Sequence, residues 1–144
     1  MAKAKKDQKI QKKSDKKSQS KLKQKKIFQK VERGRVYIQS SFNNVIMTLT
    51  DDAGNVIDWV TAGALGFKGT KKSTPYTASL VGKAMADKIR SLGMSELQIF
   101  VSGVGQGRDS ATRALVASGA EINLISDITP LPHNGCRPKR PRRV

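Results

Sequence analysis

One cysteine, one histidine and one tryptophan occur in 144 residues, and aromatic side chains make up only 5% of the chain. Cys136 cannot close an internal disulfide, which removes the small scaffolds held by several bridges. Together with His133 it offers at most two metal ligands where a structural zinc wants four. No Ser, His and Asp set and no metal-binding pair of histidines can be assembled on the elements the sequence predicts. Acids are scarce too, 11 Asp and Glu against 28 Lys and Arg, and Asp51 with Asp52 reads as turn chemistry rather than an acid and base pair. No apolar stretch approaches the roughly 20 residues that span a membrane. Apolar positions in the first thirty residues are only scattered, so no secretory signal is expected. These absences predict a soluble, cytoplasmic, non-enzymatic protein without a cofactor.

What the chain has in excess is positive charge, and its placement matters more than its size. Residues 1–30 carry thirteen Lys and two Asp, Arg137 to Val144 carry five Arg or Lys and no acid, and residues 31–136 are left with a net charge of +1. Basic arms on a nearly neutral core suit a polyanion that is tracked along its length, whereas an enzyme steering an acidic substrate concentrates charge around a cleft. The Lys, Gln and Ser of residues 1–30 cannot bury enough apolar surface to offset ordering entropy, so this arm is expected to be disordered alone in water.

Between the arms the pattern is that of one α/β domain, residues 31–129. Arg35–Ser40, Asn44–Thr50 and Val56–Thr61 alternate as strands, with Asp51 to Asn55 supplying a hairpin turn. Thr74 followed by Pro75 is a strong helix start, and Ala78, Val81, Met85, Ile89 and Leu92 then trace one apolar stripe to a stop at Gly93. Glu96–Val101 alternates as a strand, Arg108–Ser118 reads as a second helix closed by Gly119, and Ile122–Ile128 is the last strand. The order β-β-β-α-β-α-β predicts a mixed five-stranded sheet covered by helices. Residues 130–144 hold four prolines and are expected to be extended.

Two glycine loops stand before the helices. In Gly63 to Thr74 the glycines are mixed with Lys68, Lys71 and Lys72 beside a helix start, a setting that favours an anion. The spacing is not that of a P-loop. Ser102-Gly103-Val104-Gly105-Gln106-Gly107-Arg108 lies between strand and helix, as a dinucleotide fingerprint does, with Asp127 twenty residues after Gly107. Its Gly-x-Gly-x-Gly spacing is not that fingerprint, and an RNA phosphate on free N–H groups and Arg108 is the more economical ligand. Glycines that merely turn a strand into a helix are the structural alternative. Arginine dominates the C-terminal segment, where its planar fork gives placed, bidentate phosphate contacts, and the lysines of the N-terminal arm give diffuse attraction. With His133 and Asn134 alongside, irregular RNA suits this segment better than regular duplex DNA. A nucleoid-type DNA binder and a nucleotide enzyme are the competing classes.

Several motifs fall in register with a known family. From about Arg35 onward, Ser41-Phe42-Asn43-Asn44, Thr61-Ala62-Gly63, Gly66-Phe67-Lys68-Gly69, Lys72-Ser73-Thr74-Pro75, Gly107-Arg108 and Pro132-His133-Asn134-Gly135-Cys136-Arg137-Pro138 resemble the family of small-subunit ribosomal protein eleven, bacterial type. The sequence departs from it at Ala64-Leu65, where Gly-Ser is common, and at Val104 and Gln106, where prolines are. The resemblance implies a ribonuclease H-like fold without the catalytic acids and a place on the platform of the small subunit. It implies bridging of ribosomal RNA helices, a share in the Shine-Dalgarno cleft for messenger RNA, and no homo-oligomer. Small-subunit proteins seven and eighteen are the implied neighbours, with protein twenty-one and initiation factor three as secondary candidates. The expected RNA contacts are Arg35, Asn43, Asn44, Lys68, Lys71, Lys72, Thr74, Gly105, Gly107, Arg108, Arg113, His133, Asn134, Arg137, Lys139, Arg140, Arg142 and Arg143.

Overall fold

The computed structural model describes residues 31–141. The expected disorder of the lysine arm and the contacts assigned to Arg142 and Arg143 lie outside the described residues. Five strands, β1 (Arg33–Ser40), β2 (Val45–Thr50), β3 (Val56–Thr61), β4 (Glu96–Ser102) and β5 (Glu121–Asp127), form one sheet in the order β3-β2-β1-β4-β5. The first three make the antiparallel meander, and β4 and β5 run parallel to β1. This is the mixed sheet that the element order predicts.

The two helices, α1 (Pro75–Leu92) and α2 (Arg108–Val116), pack on one another and on the same face, α1 over β2 and β3, α2 over β1 and β4. Strand alternation explains which face they cover. Val36 and Ile38, Val45, Met47 and Leu49, Val60, and Leu97, Ile99 and Val101 point to one side and are buried under Ala78, Val81, Met85 and Ile89 of α1 and Ala111 and Leu115 of α2. The helices approach so closely that a Cβ on Gly82 would lie 2.6 Å from that of Ala114.

Both ends of α1 follow the chemistry read from the sequence. The Thr74 hydroxyl accepts the Thr77 N–H at 3.3 Å, and Gly93 closes the helix at φ 71° with its N–H on the Arg90 and Ile89 carbonyls. Several boundaries differ from expectation: β2 begins at Val45 rather than Asn44, β4 ends at Ser102 rather than Val101, and β5 spans Glu121–Asp127 rather than Ile122–Ile128. A 3-10 helix, Gly69–Ser73, occupies part of the first glycine loop. Helix α2 stops at Val116, with Ala117 as its cap and Gly119 at φ 82° beyond. Strand β1 begins two residues earlier, where Arg33 pairs with Glu96 and Gly34 with Leu97 of β4.

Candidate nucleic-acid interface

Because β1, β4 and β5 are parallel and β3 shares their direction, the loops that follow all four open at one end of the sheet. Both helices also begin there. Backbone hydrogen bonds tie these loops together: Ala62 N–H donates to Val45 O at 3.3 Å, Gly105 N–H to Ser40 O at 3.0 Å, and Ile128 N–H to Val101 O at 2.8 Å. The Gly103 N–H reaches the hydroxyl of Thr129 at 3.1 Å. Topology alone therefore brings both glycine loops, the Ser41–Asn44 turn and the root of the C-terminal segment to one place.

The lysine-bearing loop is closed by its own hydrogen bonds and presents cations. Phe67 N–H is held by Ala62 O at 3.2 Å, and the carbonyl of Lys71 accepts the hydroxyls of Thr74 at 3.0 Å and Thr77 at 2.8 Å. Thr74 is thus occupied as a cap. Lys68 and Lys71 are exposed, Lys72 is half-buried, and none forms an ion pair with a described acid. Three such charges stand next to a helix start.

The second glycine loop has a different physical basis. Gly105 and Gly107 are buried. A Cβ on Gly105 would lie 2.4 Å from Ser41 O, and one on Gly107 2.7 Å from Val45 and 2.8 Å from Ala78. These glycines let the loop pack on β1, β2 and α1, and the Gly105 N–H is already spent on Ser40. Arg108 is engaged too. Its Nη1 donates to Gly103 O at 2.8 Å and its Nη2 pairs with the Asp127 carboxylate, so it clamps the loop to the end of β5. Arg113, further along α2, is exposed without a described ion-pair partner and lines a shallow cavity of about 270 Å³ with Arg108, Ile125 and Asp127.

The Asp127 carboxylate accepts the Thr129 hydroxyl and N–H as well as the Arg108 guanidinium, and these hydrogen bonds hold its pKa well below the usual carboxylate range. A carboxyl depressed on folding contributes stability above its unfolded pKa of about 3.9 and loses it only as pH falls toward the folded value. The clamp is therefore complete at neutral pH. Asp127→Asn is expected to be less stable than the parent at pH 7, with the gap narrowing below about pH 4. Denaturation midpoints at pH 7 and pH 3 measure this, and an equal gap at both would show that the charge contributes nothing.

The remaining expected contacts divide by place. Asn43 is exposed and Asn44 half-buried in a turn closed by Ser41 N–H on Asn44 O at 2.9 Å, with the Ser41 hydroxyl accepting Asn44 N–H at 3.1 Å. Arg35 stands apart, five residues back from Ser40 along β1, about 17 Å by strand rise, with its Nε 3.9 Å from Asp52. His133, Asn134, Arg137, Lys139 and Arg140 are exposed on a segment without helix or strand, where Asn134 takes φ 58°. Sequence reasoning missed the apolar side chains at the loop end: Phe42 is 75% exposed and, with Val104 and Pro130, lines a second cavity of about 330 Å³. An aromatic inside a Ser-x-Asn-Asn turn was the available signal, since it has no core to enter.

Among the described residues no group of three or more His, Cys, Asp or Glu could hold a metal ion, and no helix is long and apolar enough to cross a membrane. The family model described as ribosomal protein S11 matches residues 34–143. Proteins named small ribosomal subunit protein uS11 from Borreliella burgdorferi strain ZS7, Borreliella afzelii strain PKo and Borrelia garinii subsp. bavariensis are each 49% identical over 120 residues, covering 83% of this chain and 92% of the relative. Several motifs in register, now extended to nearly the whole of these relatives, leave no ambiguity of class. The chain therefore belongs to the ribosomal protein S11 family.

Proposed function

We propose that the chain is a non-catalytic structural component of the small ribosomal subunit, in the cytoplasm, where it binds ribosomal RNA. The observation that carries this reading is the gathering of Lys68, Lys71, Lys72 and the root of the basic C-terminal segment at one end of the sheet, in a chain that matches the family over residues 34–143. Phosphates would meet the three lysines and Arg113, with Arg137, Lys139 and Arg140 threading between RNA segments. Arg108, Thr74, Gly105 and Gly107 would serve that surface by shaping it. The finer placement belongs to the same proposal: the platform, the bridging of RNA helices, the Shine-Dalgarno cleft and the neighbouring proteins seven and eighteen. A ribonuclease H-like kinship is likewise proposed, supported by a meander followed by two parallel strands on its β1 side.

Sedimentation of cell extract through a magnesium-containing gradient tests the reading. The chain is expected with the small subunit. Recovery only among free soluble proteins would overturn the assignment, and retention on duplex DNA would favour a nucleoid protein.

A further inference from the structure

Both helices lie on one face of the sheet, and the opposite face carries a row that crosses all five strands. In register, Trp59 on β3 stands beside Thr48 on β2, Tyr37 on β1, Phe100 on β4 and Ser126 on β5. The rings of Tyr37 and Phe100 are stacked, with centroids 5.2 Å apart and planes 18° from parallel. One face of each ring is used in that stack. Both residues are half-buried, and their other neighbours in register are small hydroxyl residues, Thr48 beside Tyr37 and Ser126 beside Phe100. Beyond Thr48 stands Trp59, the chain's one tryptophan, 55% exposed.

We propose that this open face is a stacking platform for unpaired RNA bases, a part of the RNA interface separate from the basic loop end; it rests on the RNA-binding reading above. Spacing permits it. Strands β1 and β3 are two sheet spacings apart, about 9.6 Å, while a base held between two rings needs two contacts of roughly 3.5–4 Å each. A planar ring therefore fits between Tyr37 and Trp59 above Thr48, and a second can lie on Phe100 above Ser126.

The surroundings choose a base over an apolar protein partner. The rows on either side hold Thr61, Ile46, Gln39 and Ser102, and Val56, Thr50, Arg35, Gln98 and Leu124. Neither row nor the aromatic one contains an acid, so nothing on them repels a phosphate chain. Gln39 and Gln98 offer donors and acceptors to base edges, while Arg35 is engaged with Asp52, its Nε 3.9 Å from that carboxylate. Aromatic rings stack on any base, and the ladder of hydroxyl and amide groups around them suits splayed single strands rather than a regular duplex.

The tryptophan reports directly on its own occupancy. The full chain is titrated with a mixed-sequence single-stranded oligoribonucleotide and with duplex RNA carrying the same number of phosphates, reading anisotropy for binding and Trp59 emission for stacking. The single strand is expected to quench Trp59 along its binding curve, and the duplex to bind without quenching. Tyr37→Thr with Phe100→Val is expected to weaken single-strand binding on the order of tenfold, with duplex binding unchanged and Tyr37→Phe close to the parent. Single-strand binding without a quench, or an equal quench by both RNAs, would overturn the platform while leaving RNA binding intact. Emission that responds only to added ribosomal proteins would also overturn it, giving the face to a protein. Failure to bind either RNA would instead remove the RNA-binding reading itself.

Discussion

Gly103→Ala is expected to destabilise the domain by about 2–5 kcal/mol, the sum of a strained backbone and a clash with no escape. Gly103 takes φ +95°, and a Cβ there would sit 2.2 Å from the carbonyl oxygen of Ser40, a backbone atom fixed in β1. Two other glycines separate these contributions. Gly66 has φ +88° but nothing within 4 Å of its Cβ direction, so Gly66→Ala should cost only about 1–2 kcal/mol. Gly107 has an ordinary φ of −79° but lies against Val45 and Ala78, so Gly107→Ala isolates the overpacking, about 1–3 kcal/mol. Denaturant unfolding of the three variants gives the order directly. If Gly103→Ala proved no worse than Gly66→Ala, the close packing of this loop on β1 would be wrong. The consequence reaches the surface, because the Gly103 carbonyl holds Arg108 and its N–H holds Thr129 at the root of the C-terminal segment. A displaced Gly103 should therefore weaken RNA binding as well as the fold.

These glycines mark where the sequence was legible and where it was not. Helix α1 could be read because its signals are local: Thr74, Pro75, a stripe at helical spacing and Gly93 all act within the element. The duty of Gly103 to Gly107 could not be read, since a glycine that admits a phosphate and one that admits a neighbouring strand look alike until Ser40, Val45 and Ala78 are placed beside them. Arg108 has the same difficulty. Its partner Asp127 lies nineteen residues away, and the pairing that makes it a clamp exists only after β5 docks on β4. Strand β5 carries Ile122, Leu124 and Ile125, yet its place at the sheet edge leaves Leu124 45% and Ile125 53% exposed. The aromatic row was invisible for the same reason. Trp59, Tyr37 and Phe100 come from three strands, and only the register of pairing aligns them. Charge was the opposite case, because lysines and arginines without acidic neighbours in sequence mostly remained without them in space.

Removing Arg137 to Val144 is expected to lower the slope of log affinity for small-subunit RNA against log salt by up to about 4, since each phosphate contact contributes roughly 0.7–0.9 through released counterions. Five cations leave with this segment. Over a change from ~50 to ~200 mM salt, a slope smaller by about 4 amounts to roughly two orders of magnitude in affinity. Stability should hardly move, because Pro130 to Pro141 are exposed or stand clear of the core, and an unchanged denaturation midpoint would show that the loss belongs to the interface. Replacing Arg137, Arg140, Arg142 and Arg143 by lysine tells charge from geometry. Counterion release follows charge, so the slope should persist, while affinity falls because an ammonium cannot make the bidentate contact of a guanidinium. A deletion that left the slope unchanged would mean that the segment touches no phosphate. The weight of RNA binding would then pass to the lysines before α1, where Lys68, Lys71 and Lys72 can account for a slope of at most about 3.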